Sequence, residues 1–194
     1  TGVTNLGLEG MMLSGAFAGA TVSYYTGNPY YGLAAGIIAG GLVSLIHAFI
    51  SINLRGNQIV SGVAINLLAV AVTSYLIKVL FGVAGATMAA PHQANTLLVL
   101  IFIYSLAIFS NFIMYGTVLG LRMRAVGEHP LASDTVGISV YKIRYIGVMI
   151  SGMFAGLGGA YMTTVMLPSF SNNMSAGRGF MALAAMIFGK WKPW

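Results

Sequence analysis

Thr96-Leu-Leu-Val-Leu-Ile-Phe-Ile-Tyr-Ser-Leu-Ala-Ile-Phe-Ser-Asn-Phe-Ile-Met-Tyr-Gly-Thr-Val118 runs for 23 residues without one charged side chain. At about 1.5 Å per residue, a helix of that length covers the roughly 30 Å hydrocarbon core of a bilayer. Five further apolar runs lie near 7–26, 30–52, 58–81, 142–166 and 179–190, giving about six membrane segments. They are too long and too uniformly apolar for the alternating pattern of a barrel. In lipid, only helices or closed barrels satisfy the backbone, so helices are expected. The fold class that follows is an all-α integral membrane protein, a polytopic transmembrane helix bundle.

Composition agrees. The chain is 58% hydrophobic and 6% charged, with a mean hydropathy of +0.87, where a soluble domain spends about a quarter of its residues on charge. The net charge of +6 comes from Lys and Arg residues scattered between apolar runs. They form no basic face for nucleic acid, and membrane orientation accounts for them better. There is no cysteine, which removes disulfides, thiolate metal sites and cysteine nucleophiles together. With Thr1 first and Lys192-Pro193-Trp194 last, the single domain 1–194 is expected to be truncated at both ends, and no signal peptide is visible.

The breaks between runs are turn chemistry: Gly27-Asn28-Pro29, Asn53 to Gln58 around Arg55, and Ala90-Pro91-His92-Gln93. The longest polar stretch is 119–141, with Arg122, Arg124, Glu128, His129 and Asp134, and Lys142 beyond it. Within it, 122–138 reads as a short helix with Pro130 near its first turn and Gly137 as its stop. Such a helix is either a docking element for a soluble partner or an amphipathic piece lying on the bilayer. If 119–141 is cytoplasmic and each run crosses once, the inner side collects Arg55, Arg122, Arg124, Lys142, Arg144, Lys190 and Lys192. The outer side keeps Lys78 and Arg178, the asymmetry expected of a positive interior. The 82–95 and 167–178 loops are then outside. A re-entrant segment would upset this count, and Gly156-Leu157-Gly158-Gly159 could host one.

Small residues mark the expected helix contacts, because apolar side chains gain little by leaving lipid and close backbone approach must supply the dispersion energy. Gly15 and Gly19, then Gly32, Gly36 and Gly40, then Gly152 and Gly156 recur every four residues. A weak internal repeat lays Gly10 to Gly19 on Gly147 to Gly156, with Leu-Ala-Ala expected to follow each at a similar distance, at 33–35 and 183–185. Duplication of this kind is common in transporters.

Enzyme motifs are missing. Gly189-Lys190 comes nearest to a P-loop, but Trp191 follows and Ala184 holds the earlier glycine position, so no phosphate cradle forms. No zinc-protease or nucleophile-elbow motif occurs, and three acidic residues leave little for paired-carboxylate catalysis. Polar residues inside a membrane are costly and tend to face a pathway or a neighbour, which nominates Glu9, Asn66 and Asn111 for a substrate pathway. The competing reading for the two Asn residues is an interhelical hydrogen bond, and Glu9 lies near the inner end of its run, within reach of water. His47 reads as a packed or interfacial histidine rather than a proton relay. Tyr24, Tyr25, Tyr30 and Tyr31 fit an aromatic belt at the outer face. Phe170, Asn172 and Asn173 fall in an outer loop that could meet a binding protein.

Four motifs in order resemble a known family: Asn5-Leu-Gly-Leu-Glu-Gly-Met-Met12; Gln58-Ile-Val-Ser-Gly62 with Asn66; Arg124-Ala-Val-Gly-Glu-His-Pro130 through Gly137-Ile138; and Ser175-Ala-Gly-Arg-Gly-Phe180 through Phe188-Gly189. They resemble the branched-chain amino acid/ribose type of ABC importer permease, the type II architecture, and within it the permeases of bacterial nucleoside importers. His129 stands where that family often has Asn, and Ser133 where it often has Ala. The resemblance implies a multi-pass subunit of the bacterial cytoplasmic membrane that pairs with a second permease, a cytoplasmic ATP-binding cassette ATPase and an external solute-binding lipoprotein. It implies that ATP and Mg sit on the ATPase, with no cofactor on this chain. Arg124, Gly127, Glu128, His129, Pro130, Ala132, Asp134 and Gly137 would form the ATPase-coupling element, and the solute would be a nucleoside, a sugar or a branched-chain amino acid. The alternative from the residues alone is an ATP-independent secondary transporter or channel, against which the scarcity of buried carboxylates speaks.

Overall fold

The computed structural model describes residues 2–190; Thr1, Lys192 and the charge expected from it lie outside the described residues. The chain forms α1 (Leu8–Thr26), α2 (Pro29–Ala48), α3 (Gln58–Phe81), α4 (Thr96–Gly116), α5 (Val118–Glu128), α6 (Pro130–Thr135), α7 (Val140–Tyr161) and α8 (Arg178–Phe188). Single wide turns of π-helix extend α2 through Phe49–Asn53 and α7 through Met162–Met166. Four helical units are long and apolar enough to span a bilayer: 29–53, 58–81, 96–116 and 140–166. Of the six expected segments, α1 has 19 residues and is largely enclosed by its neighbours, while α8, with 11, is too short to cross alone.

Local chemistry sets the boundaries. Asn28, Asn57 and Asn95 stand just before α2, α3 and α4, and each accepts main-chain N–H bonds from the first turn through its side-chain oxygen. Gly27 and Gly82 close α1 and α3 in the left-handed conformation, at φ +68° and +67°.

The centre of the bundle is α1, α2 and α7, joined by the glycine rows. Gly15 lies on the backbone of Gly156, Gly36 on Gly15 and Gly156, and Gly40 on Gly152 and Gly156, so closely that a methyl group at any of these positions would overlap main-chain atoms. The three rows, one on each helix, therefore meet in one seam. Gly156 to Gly159 stays helical within α7, so it does not host a re-entrant turn.

The non-helical return falls elsewhere, at 167–177. Its first part pairs with the chain before α4: Ala90 N–H donates to Pro168 C=O (2.7 Å), Thr87 N–H to Phe170 C=O (2.8 Å) and Asn172 N–H to Gly85 C=O (2.8 Å). Phe170 packs edge-on against Phe17, with ring centroids 5.6 Å apart, whereas Gly177 meets Glu9. Eight helical residues separate Phe17 from Glu9, so the segment descends roughly 12 Å into the bundle. The expected outer loop 167–178 is thus a re-entrant segment, and Arg178 moves inward with it. The same return upsets the spacing expected downstream of the weak repeat: Leu33 follows Gly19 by 14 residues, but Leu183 follows Gly156 by 27.

Candidate functional site: a cavity and a docking element

Two places gather the polar residues nominated above. One is a cavity of about 310 Å³ between α1, α3 and the start of α8, lined by Glu9, Gly10, Leu13, Val63, Asn66, Leu67, Val70, Asn173, Gly177 and Phe180. Its walls are mostly apolar, and its polar groups sit where α1 and α8 begin. Those helices start inside the bundle without a side-chain cap of their own. First-turn N–H groups need acceptors that lipid cannot supply, and the acceptors come from other helices. Asn66 of α3 accepts the Gly10 N–H through Oδ1 (2.8 Å) and donates from Nδ2 to the Leu6 carbonyl (3.0 Å). Glu9 of α1 accepts from Gly177 N–H at Oε1 (2.8 Å) and Gly179 N–H at Oε2 (2.6 Å). Glu9 is 7% exposed, enclosed between α1 and the start of α8.

Other nominations disperse. Asn111 is half-buried on α4 and is not part of the cavity lining. Phe170, expected on the outside, is fully buried and held by a Thr87 Oγ1 that accepts its N–H at 2.9 Å, which removes it from any outer contact. Asn172 remains exposed. Asn173 leaves the outer group for the cavity wall, because the chain dives at that point. His47 is fully buried, with Nδ1 3.0 Å from Ser61 Oγ and Nε2 3.4 Å from the Thr4 carbonyl oxygen. Tyr24 meets Phe81 edge-on at 5.4 Å and Tyr25 stacks on it at 6.0 Å, while Tyr30 and Tyr31 stand exposed. The pairing of Glu9 with Gly177 and Gly179 was not read from the sequence; the signal available was two helices opening without Ser, Thr, Asn or Asp and a lone acid in an apolar run.

The second place is α5–α6. Thr117 caps α5 by accepting the Gly120 N–H, and Met123 and Val126 bury against Ile143 of α7, fixing the element to the bundle. Arg124 lies 5.0 Å from the centre of the Tyr115 ring, a cation–π contact. The helix breaks at His129 and restarts with Pro130 in the first turn of α6. Gly137, at φ +79°, ends it by donating its N–H to the Asp134 carbonyl (2.9 Å). The expected single short helix is therefore two. Gly127, Glu128, His129, Ala132 and Asp134 are exposed, and Leu131 and Val136 are exposed at 84% and 76%. Gly2 lies near Gly127 and Arg144, and Tyr145 donates to Asn53 Oδ1 at 2.6 Å, so the start of the chain, the α2–α3 connection and α5–α6 share one end of the bundle.

Comparison with known proteins gives a consistent picture. A family described as branched-chain amino acid transport system, permease component, matches residues 1–194. The guanosine ABC transporter permease protein NupQ of Bacillus subtilis is 42% identical over 100% of this chain and 68% of its own length. The nucleoside ABC transporter permease protein NupC of Lactococcus lactis is 35% identical over 99% of this chain and 68% of its own. A putative glucose ABC transporter permease protein, TsgC13 of Haloferax volcanii, is 35% identical over 99% and 64%. No solved structure matches the chain significantly.

Proposed function

The chain belongs to the permease-component family of branched-chain amino acid transport systems, and on that premise we propose that it lines the route of a nucleoside through an ATP-driven importer. It is a multi-pass membrane protein and a transport subunit rather than an enzyme. The nucleoside assignment rests on the likeness to a guanosine permease at 42% identity and a nucleoside permease at 35%. In this reading it pairs with a second permease subunit in a bacterial cytoplasmic membrane and takes solute from a binding lipoprotein at the tyrosine end. ATP and Mg belong to the ATPase at the other end, and this chain carries no nucleotide site of its own.

One observation carries the coupling role. The α5–α6 element is anchored by a buried apolar cluster, yet it holds Leu131 and Val136 out from a charged surface at the end that also bears Arg55, Arg122, Arg124, Lys142 and Arg144. Exposed apolar groups rimmed by polar ones mark a protein contact, and the firm anchor transmits movement of that contact to α7. The test is guanosine uptake and ATP hydrolysis by the complete importer reconstituted in vesicles. Leu131→Asp is expected to cut solute-stimulated ATP hydrolysis and uptake together by about tenfold or more, the loss of a buried apolar contact. Gly137→Pro is expected to do the same, since proline fixes φ near −65° and removes the N–H. Undiminished uptake in both variants would refute the coupling role.

A further inference from the structure

Helix α8 is held weakly by packing. Gly179 is its one buried residue among those described, and most of its remaining side chains face outward. What ties its start to the bundle is Glu9: both carboxylate oxygens are taken by main-chain N–H groups on either side of Arg178, and the Gly179 backbone lies against that of Glu9 so closely that a methyl group there would clash. Gly177, at φ +86°, turns the chain so that both N–H groups point the same way. A carboxylate offers only acceptors, so each of the two donors meets an oxygen of its own. Two walls of the cavity, from α1 and α3, are locked together by Asn66. The third wall, from Asn173 to Phe180, is held at Met174 by the core of the bundle and at the start of α8 by Glu9.

We propose that Glu9 is a positioning residue for the solute pathway: its carboxylate clasps the N-terminus of α8 and so sets where Asn173 and Phe180 stand in the cavity wall. This rests on the reading of the chain as a nucleoside-importer permease, and it assigns Glu9 an indirect part in transport through α8. Glu9→Gln replaces one acceptor by an NH2 group that confronts an N–H. Glu9→Asp keeps both acceptors on a side chain one methylene shorter.

The experiment uses the complete importer in vesicles. For Glu9→Gln, the KM for guanosine is expected to rise roughly tenfold while the amount of folded permease in the membrane is unchanged, as fits the loss of one hydrogen bond to a carboxylate; Glu9→Asp is expected to fall between this variant and the unaltered protein. In parallel, Phe180→Cys is labelled with a soluble maleimide with and without Glu9→Gln, and the labelling rate is expected to change several-fold when the clasp is broken. An unchanged KM together with an unchanged labelling rate overturns the proposal. So does loss of folded permease in both Glu9 variants, which would make the residue a determinant of folding alone. The labelling arm needs no solute: if the unaltered importer ignores guanosine, the solute assignment falls while the clasp is still decided.

Discussion

At the scale of single residues, the informative groups are the ones that cap a helix other than their own. Asn66 meets a donor and an acceptor at once, Gly10 N–H and the Leu6 carbonyl. Asn66→Ala leaves both unpaired, at a cost of about 1–3 kcal/mol, and thermal unfolding of the detergent-purified permease is expected to drop by several degrees. Asn66→Asp is expected to behave almost as badly, because it keeps the acceptor for Gly10 but sets an oxygen against the Leu6 carbonyl. Equal stability of Asn66→Ala and the unaltered protein would show that the two hydrogen bonds carry no net weight. The sequence singled out Glu9 and Asn66 simply as polar groups in apolar runs, which was enough to find them. It could not reveal what they hold, since Gly177 and Gly179 stand 168 and 170 residues from Glu9 and offer backbone, which has no signature of its own.

At the scale of elements, the glycine seam separates sites that look alike in sequence. A side chain at Gly156 would strike the backbone of both Gly36 and Gly40, whereas one at Gly158 meets nothing nearer than the tip of Met12, at 3.9 Å. Gly156→Val is expected to abolish the folded peak of the purified protein in size-exclusion chromatography. Gly158→Ala is expected to be neutral or to gain up to about 1 kcal/mol from helix propensity. The helices themselves were legible: the runs at 58–81 and 142–166 match α3 and the α7 unit to within two residues, because lipid demands length and apolarity and both can be counted. The return at 167–177 was not. Leu167-Pro-Ser-Phe-Ser-Asn-Asn173 carries the proline and polar residues of an ordinary loop, and its depth is fixed by pairing with 85–90 and by Phe17, contacts that no local pattern records.

At the scale of the whole molecule, the return of the chain toward Glu9 takes Arg178 away from the tyrosine end and sharpens the asymmetry of charge. With α8 set aside, Lys78 is the one cation at the tyrosine end among the described residues, against Arg55, Arg122, Arg124, Lys142 and Arg144 at the other. On the proposed reading, that distribution sets α5–α6 on the cytosolic side. Val136→Cys in intact cells is therefore expected to resist an impermeant thiol reagent that reaches Asn172→Cys; labelling of Val136→Cys from outside would invert the topology. The clasp at Glu9 has a consequence for biogenesis as well. The residue leaves the ribosome 168 residues ahead of its first partner, an interval of roughly 10–30 s at ordinary rates of synthesis. Throughout that time the Glu9 side chain waits without the two amides that hold it in the folded chain, so the insertion machinery has to shelter α1 until α8 arrives and threads its amides onto the waiting oxygens.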